Sequence, residues 1–407
     1  MNAAIVRPDM ATPDPPDPAT LDAFAALGGE AWTERIRYLS AECARKTHAA
    51  RAAQQRHAIE LAIERCRRRN GSRVPSTGEL HVCMLATRTV RLAESLSVAG
   101  REALVARIRA ALADSYTLAP VFHLVRTAWL QEQRGFSVQH TGLADRTPFD
   151  LLIERDGTEA EVACEVVSAE EGRDVQRGAW FNLCDRVDPD LQRWLAVHPG
   201  RYLLKMTLPK LNDREEAGVL SDLQRRITGM LSEQRRADQS EASVLRLDPL
   251  MLTAAQADEL GLMARLRREF GPEAHLAVTS VSGSVFVLAA RAAREDEVAV
   301  SVRKRLCAVV PRRLTGKRPG IIALFVEDTD RSEWQLLRER MDLEGEVRQF
   351  MTFPEARPVV AISCASRLEM FGLKSPEAVP DGELRFRNPA HPAAKAPALA
   401  PAVLSSL

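Results

Sequence analysis

The sequence predicts an α/β protein: a mixed-sheet core, preceded by a helical N-terminal module and followed by a C-terminal α/β extension. Three observations support this prediction. Apolar residues recur at helical spacing over about residues 21–112. From residue 118, short strand patterns alternate with helical ones, and a similar alternation resumes after residue 250. At 407 residues, the chain is long enough for two or three modules with their own cores.

Composition suggests five segments in order. Residues 1–20 are rich in Pro and Asp and predict a disordered tail, because they offer little apolar surface to bury. Residues 21–117 predict a helical module. Residues 118–250 predict the α/β core, and residues 251–389 predict a second α/β unit. The Ala- and Pro-rich residues 390–407 predict another disordered tail.

Charge and cysteine content restrict the possible functions. Lys plus Arg (56) nearly cancel Asp plus Glu (55), so any nucleic-acid surface must be local. Residues 45–69 hold eight Lys or Arg against two Glu, which suits either phosphate contacts or a solvated helix face. The seven cysteines are widely spaced and form no C-x-x-C motif, which argues against disulfides and thiolate zinc sites. We expect a cytoplasmic protein without a membrane span or signal peptide.

The core contains a hairpin with a well-defined register. Asp156-Gly157 is a strong two-residue turn, because both residues tolerate the positive φ of a type I′ turn. Arg155 then lies opposite Thr158, Ile153 opposite Ala160 and Leu151 opposite Val162. One strand face becomes almost wholly apolar and should pack on a core; its members are Phe149, Leu151, Ile153, Ala160, Val162, Cys164 and Val166.

The opposite face of the hairpin is acidic. In this register Asp150 and Glu165 become diagonal neighbours, with Cβ atoms about 7 Å apart, so both carboxylates could bind one divalent cation. The alternative is a solvent-facing hairpin surface, supported by Glu154, Glu159 and Glu161 on the same face.

This arrangement resembles the PD-(D/E)xK, or restriction-endonuclease-like, superfamily. The order is helix, strand, strand with Asp, strand with Glu, helix, strand, and it covers about residues 120–249. In "TPFD", Asp150 matches the family's metal-binding Asp, and in "CEVV", Glu165 matches the acid of its (D/E)-x-K element. The resemblance implies Mg²⁺ or Mn²⁺ held by Asp150 and Glu165.

Val167 stands where the family has its Lys, and it cannot donate to a phosphate. Lys205, in the strand pattern "RYLLKMTLP", is the first candidate for a relocated catalytic cation, because the family places that strand beside the Glu-bearing one. Arg173 is the second candidate. His123 and Glu132 are the nearest equivalents of the family's helix Glu, although His123 also suits a core position.

Gln176 and Trp180 resemble the family's Gln-x-x-x-Tyr element, with Trp in place of Tyr. Trp180 is equally well explained as a core aromatic residue. Gln176 also suits an exposed or helix-capping position.

These features predict a metal-dependent nuclease, endo- or exonucleolytic, that acts on phosphodiester bonds of DNA. Asp150, Glu165 and Lys205 would be its catalytic residues. Val167 favours an alternative, which is an inactive nucleic-acid-binding or protein-interaction module on a decayed nuclease fold. A structural adaptor that binds no nucleic acid is a third possibility. DNA is the expected partner, and a homodimer is left open.

Overall fold

The computed structural model describes residues 13–406, except for 15, 69–73, 213–216, 241–242, 250–265, 268, 272–273, 375 and 377. The described chain is a mixed α/β structure with two mixed sheets. Its strands are β1 (Ser137–Gln139), β2 (Leu151–Arg155), β3 (Thr158–Ser168), β4 (Arg201–Leu208), β5 (Ala237–Gln239), β6 (Val244–Pro249), β7 (His275–Val281), β8 (Ser284–Ala292), β9 (Gly320–Glu327), β10 (Val359–Ser366) and β11 (Leu384–Arg387).

The helices that precede β4 cover the region that the sequence predicts to be helical. They are α1 (Pro18–Gly28), α2 (Glu30–Ala44), α3 (His48–Arg56), α4 (Ala58–Arg67), α5 (Thr77–Ser95), α6 (Val98–Ala111), α7 (Ala119–Gln133), α8 (Thr141–Ala144) and α9 (Arg177–Val197). The later helices are α10 (Ala217–Ser232), α11 (Val298–Arg313), α12 (Arg331–Glu339), α13 (Asp342–Phe350), α14 (Arg367–Met370) and α15 (Ala400–Val403).

Local signals explain where several of these helices begin. Ser76 caps α5 in a capping box with Glu79, and Asp330 caps α12 in the same way with Glu333. Pro18 starts α1 directly after its cap Asp17. These side chains satisfy backbone N–H groups that a helix leaves unpaired in its first turn.

The chain folds into two compact units. Unit 1 contains residues Met1–Ala41, Arg56–Glu171 and Ala299–Leu407, and unit 2 contains Glu42–Gln55 and Gly172–Val298. Unit 2 therefore interrupts unit 1 between β3 and α11. Within unit 2, the backbone N–H of Glu297 donates to the carbonyl of Gly172 at 2.6 Å, so the two ends of the segment Gly172–Val298 are adjacent. Adjacent ends allow a domain to be inserted without disturbing its host.

The sheet of unit 1 has the order β1-β2-β3-β9-β10-β11. Strands β1, β2 and β3 form an antiparallel meander, β9 and β10 run parallel to β3, and β11 is antiparallel to β10. Strands β9 and β10 are buried along their whole length, as expected for parallel strands covered on both faces. Helices α1, α4, α5, α6 and α7 share one hydrophobic core with this sheet.

The sheet of unit 2 has the order β5-β6-β4-β8-β7. Strands β4 and β8 are parallel, and the remaining pairs are antiparallel. The β7–β8 hairpin turns at Ser282-Gly283, as the sequence predicts, with φ of 48° and 85°. Helices α9 and α10 pack on this sheet around Trp180 and Phe286.

This division does not match the predicted domain boundaries. Helical residues 21–117 are not a separate module, because α1 and α4–α6 share the core of the sheet in unit 1, whereas residues 42–55 belong to unit 2. The predicted core, residues 118–250, is split at residue 171. The predicted C-terminal unit, residues 251–389, is divided between units 2 and 1 at residue 298. Strand patterns locate strands but do not show which distant strands pair.

The prediction of a disordered C-terminal tail is wrong for residues 390–406. Short helical turns at Pro392–Lys395, Pro397–Leu399 and α15 bury Leu399 and Val403 in the core of unit 1. Asn388 anchors this segment, since its side-chain amide donates to the carbonyl of Val359 at 2.8 Å. Most of the predicted N-terminal tail lies outside the described residues, although α1 already begins at Pro18.

Candidate functional site

The predicted hairpin register is confirmed. Asp156 and Gly157 have φ of 51° and 74°, as a type I′ turn requires. Strands β2 and β3 pair Arg155 with Thr158, and the register continues through Ile153 with Ala160 and Leu151 with Val162. The apolar face packs into the core of unit 1, as predicted.

Three acids of the acidic face are buried rather than solvent-facing. Asp150, Glu161 and Glu165 are only 3%, 0% and 7% exposed, which excludes the alternative interpretation for these three residues. Helix α11 and the loop 314–319 contact this face. Buried carboxylates require charged or hydrogen-bonding partners, so their contacts define what the site can do.

Asp150 lies directly before β2 and is held from several sides. Its Oδ1 accepts from the Arg107 guanidinium of α6 at 2.8 Å, and its Oδ2 accepts from the backbone N–H of Cys164 at 2.9 Å. Arg313 at the end of α11 also donates to Oδ2. Gly142 of α8 packs against the Asp150 backbone, where a Cβ would approach the Asp150 Cα to 2.8 Å. The side chain is therefore fixed in position.

Glu165 lies in the middle of β3 and has two arginine partners. Its Oε1 pairs with Nη1 of Arg313 at 2.9 Å, and its Oε2 accepts from Nη2 of Arg305 at 3.1 Å. Arg313 consequently bridges Asp150 and Glu165 through its two terminal nitrogens. The structure thus brings together the two predicted site carboxylates, which we call the carboxylate pair.

Arg107, Arg305 and Arg313, here the arginine cluster, exceed the carboxylate pair by one positive charge. Each of the four carboxylate oxygens contacts a guanidinium nitrogen of the cluster. The pair does not fit a divalent cation in this arrangement, because the positive guanidinium of Arg313 already lies between the carboxylates. Among the residues that the structure describes, no group of three or more His, Cys, Asp or Glu residues is arranged to hold a metal ion.

Lys205 does not lie beside the Glu-bearing strand, contrary to the prediction. Its strand β4 pairs with β6 and β8 in the sheet of unit 2, while the neighbours of β3 are β2 and β9. Lys205 instead forms an ion pair with Asp248 at 3.3 Å. The parallel neighbour of β3 is β9, which follows the inserted unit in the chain. Arg173, Gln176 and Trp180 also belong to unit 2.

Val167 is fully buried and pairs with Val326 of β9, so β3 places an apolar side chain at the position of the family's Lys. His123 of α7 is a buried core residue whose Nε2 lies 2.9 Å from the carbonyl of Ala323. Burial lowers the pKa of His123 to about 4, so the ring is neutral at pH 7. Glu132 forms a surface ion pair with Arg88 at 3.3 Å.

Sequence reasoning missed the arginine cluster. Arg305 and Arg313 are eight residues apart, which places them on one side of α11 after about two turns. The sequence "VRKRLCAVVPRR" shows this spacing, but an Arg-rich composition makes individual arginines weak signals. Arg107 gives no comparable signal, because only folding brings α6 against the hairpin.

The basic run of residues 45–69 contains several ion pairs. Arg65 pairs with Glu79 at 2.8 Å, while Arg67 and Arg68 both pair with Glu64. These contacts are those of a salt-bridged helix surface. Arg69 lies outside the described residues.

Comparisons with protein-family models, curated proteins and solved structures give no match for this chain. Within the described part of the chain, no helix is both long and apolar enough to cross a membrane.

Proposed function

We propose that unit 1 carries a restriction-endonuclease-like core that binds nucleic-acid phosphates without hydrolysing them. DNA is the expected nucleic acid. The order α7, β1, β2, β3, α11, β9 supports this core. It is the helix, three strands, helix, strand order of the resemblance, with unit 2 inserted after the Glu-bearing strand. The hairpin presents Asp150 before β2 and Glu165 within β3, as the resemblance implies.

The observation that carries the proposal is the bridge formed by Arg313. The guanidinium of Arg313 offsets one of the two negative charges it bridges, and Arg107 and Arg305 supply the rest, so arginines take the electrostatic role of a metal cation. Val167 removes the family's Lys from the same face. A core with these substitutions keeps its charge balance without a metal, and hence needs no divalent cation to remain folded.

The arginine cluster also supplies the binding chemistry. Arg107 and Arg305 are 43% and 37% exposed, and among the residues that the structure describes each donates to one carboxylate oxygen. A guanidinium has five N–H donors, so both side chains keep donors for phosphate oxygens. The excess positive charge is local, as the nearly neutral net charge of the chain requires. The free state of all seven cysteines supports a cytoplasmic location.

A metal-dependent nuclease is the second candidate. The observation in its favour is that Asp150 and Glu165 converge in the predicted register. Arg313 would have to leave both carboxylates before Mg²⁺ or Mn²⁺ could bind, and it would then supply a basic group from the same unit as the carboxylate pair. This candidate predicts divalent-dependent DNA cleavage that Asp150→Asn or Glu165→Gln abolishes.

Calorimetric titration with Mn²⁺, combined with a gel-shift salt series on duplex and single-stranded DNA, tests the proposal. We expect no Mn²⁺ binding that depends on Glu165, no cleavage, and DNA binding that weakens with salt. Replacing Arg107 and Arg305 by Gln should reduce the salt dependence by about one unit of slope for each lost phosphate contact.

Arg312→Gln is the matched control, because Arg312 is an exposed neighbour on α11 whose one hydrogen bond within the described residues is to a helix carbonyl. Salt-insensitive DNA binding, or binding that the Arg107 and Arg305 replacements leave unchanged, would refute the proposal. Metal-dependent cleavage would establish the second candidate instead.

A further inference from the structure

An open cavity of about 770 Å³ lies at the start of strands β9 and β10 in unit 1. Its walls are the loop 314–319, which precedes β9, the segment 354–358, which precedes β10, and residues 391–393 of the C-terminal segment. This volume lies within the range of small-molecule sites, about 300–1,000 Å³. None of the residues predicted for the nuclease-like site lines it.

A buried carboxylate positions the loop that forms one wall. Glu161 of β3 is 0% exposed and accepts from the backbone N–H of Thr315 at 2.8 Å and from its hydroxyl group. The backbone N–H of Gly320 donates to the carbonyl of Pro358 at 2.8 Å, which joins two walls. A Cβ at Gly320 would overlap Leu314. The cavity is therefore built on fixed backbone.

The charged lining is mainly cationic. The lining contains three cationic side chains, Lys317, Arg318 and Arg357, and one carboxylate, Glu355. Arg318 is paired with Glu159 at 2.6 Å. The side chains of Lys317 and Arg357 make no ion pair or hydrogen bond with any residue that the structure describes. Two exposed cations at one cavity, without carboxylate partners, create a local positive potential.

Neutral donors surround the same cavity. The backbone N–H groups of Gly316 and Arg318 have no acceptor within the described chain, and Gly316 adopts a left-handed φ of 71°. His391 accepts from the backbone N–H of Ala393 through Nδ1 at 3.1 Å, so its neutral ring carries the proton on Nε2. Backbone N–H groups near a left-handed residue are a common feature of anion-binding loops.

We propose that this cavity binds a phosphate monoester, with Lys317 and Arg357 as its two cations. The occupant is a free mononucleotide or the 5′-phosphorylated end of a nucleic-acid strand, which share this chemistry. A phosphate monoester fits better than a carboxylate because it carries about −1.5 to −2 charge at pH 7 and three acceptor oxygens for the surrounding donors. The proposal does not depend on the arginine cluster or the carboxylate pair.

Binding is measured by calorimetry of the full chain with inorganic phosphate, adenosine monophosphate and a short oligonucleotide carrying either a 5′-phosphate or a 5′-hydroxyl group. We expect saturable phosphate binding that strengthens as the pH rises through about 6, where the second proton of a monoester dissociates. Lys317→Ala and Arg357→Ala should each weaken binding about tenfold, which corresponds to about 1.4 kcal/mol.

Glu355→Gln is the informative counter-variant, because removal of the one carboxylate in the lining should strengthen binding. Arg312→Ala is the matched control, since this nearby exposed cation does not line the cavity. All substituted side chains are exposed, and unchanged circular dichroism will confirm folding.

A preference for the 5′-phosphorylated oligonucleotide over its 5′-hydroxyl form identifies a strand end. If adenosine monophosphate binds as tightly as the 5′-phosphorylated oligonucleotide, the ligand is a small molecule. The proposal is overturned if neither phosphate nor monoester binds at millimolar concentration, or if binding is indifferent to Lys317, Arg357 and Glu355.

Discussion

Replacing Arg313 by Ala should destabilise unit 1 by about 2–3 kcal/mol at pH 7.5. The change removes the guanidinium that bridges Asp150 and Glu165. Two carboxylates about 6 Å apart repel by about 3 kcal/mol at an effective dielectric constant of about 20. Arg107 and Arg305 still neutralise one carboxylate each, which keeps the loss below the roughly 3–5 kcal/mol of a fully unpaired buried charge.

Thermal unfolding followed by circular dichroism measures this effect. A loss of this size lowers Tm by about 4–5 °C for a unit of this length. Adding Glu165→Gln to Arg313→Ala should recover at least half of the loss, because it removes one of the two repelling charges. Arg312→Ala serves as the control, since Arg312 donates to the carbonyl of Ala308 and to no carboxylate of the described chain.

Two outcomes would contradict this expectation. An Arg313→Ala variant as stable as the parent protein, or one that Glu165→Gln fails to rescue, would show that the bridge does not stabilise the site.

Two further predictions concern the surroundings of Asp150 and the buried histidine. Gly142→Ala should cost about 1–3 kcal/mol and lower Tm, since its Cβ would approach the Asp150 Cα to 2.8 Å; Gly345→Ala, with nothing within 4 Å, is the control that should not destabilise. Burial lowers the pKa of His123 to about 4, so the stability from its neutral ring is complete above about pH 6.5 and is lost as the pH falls toward 4, by about 1.4 kcal/mol per pH unit. Urea unfolding measures the difference in unfolding free energy between pH 7.5 and pH 5. This difference should be smaller for His123→Gln than for the parent protein, and an unchanged difference would contradict this assignment.

Local patterns predicted the hairpin successfully because its register depends on neighbouring residues alone. A two-residue turn at Asp156-Gly157 leaves one antiparallel pairing, and strict alternation then assigns each side chain to a face. The placement of Asp150 and Glu165 on one face followed directly. The identity of what covers that face did not follow, because α11 comes more than 130 residues after β3 begins.

The position of Lys205 illustrates the opposite case. The strand pattern around it is real, and β4 spans Arg201–Leu208 as the pattern indicates. Its assignment to the sheet of Glu165 followed the strand order of the family that the sequence resembles. Residues 172–298 instead form a separate unit, and β9 provides the parallel partner of β3.

The sequence by itself determined the longer helices and strands, the hairpin register and the shared face of Asp150 and Glu165, since each depends on side-chain periodicity or turn geometry within a few residues. Only the tertiary structure decided that β9 follows β3 in the sheet, that unit 2 contains Lys205, and that Arg107, Arg305 and Arg313 surround the carboxylate pair. Sheet partners and ion pairs far apart in sequence are selected by the packing of whole elements. No local pattern encodes that selection.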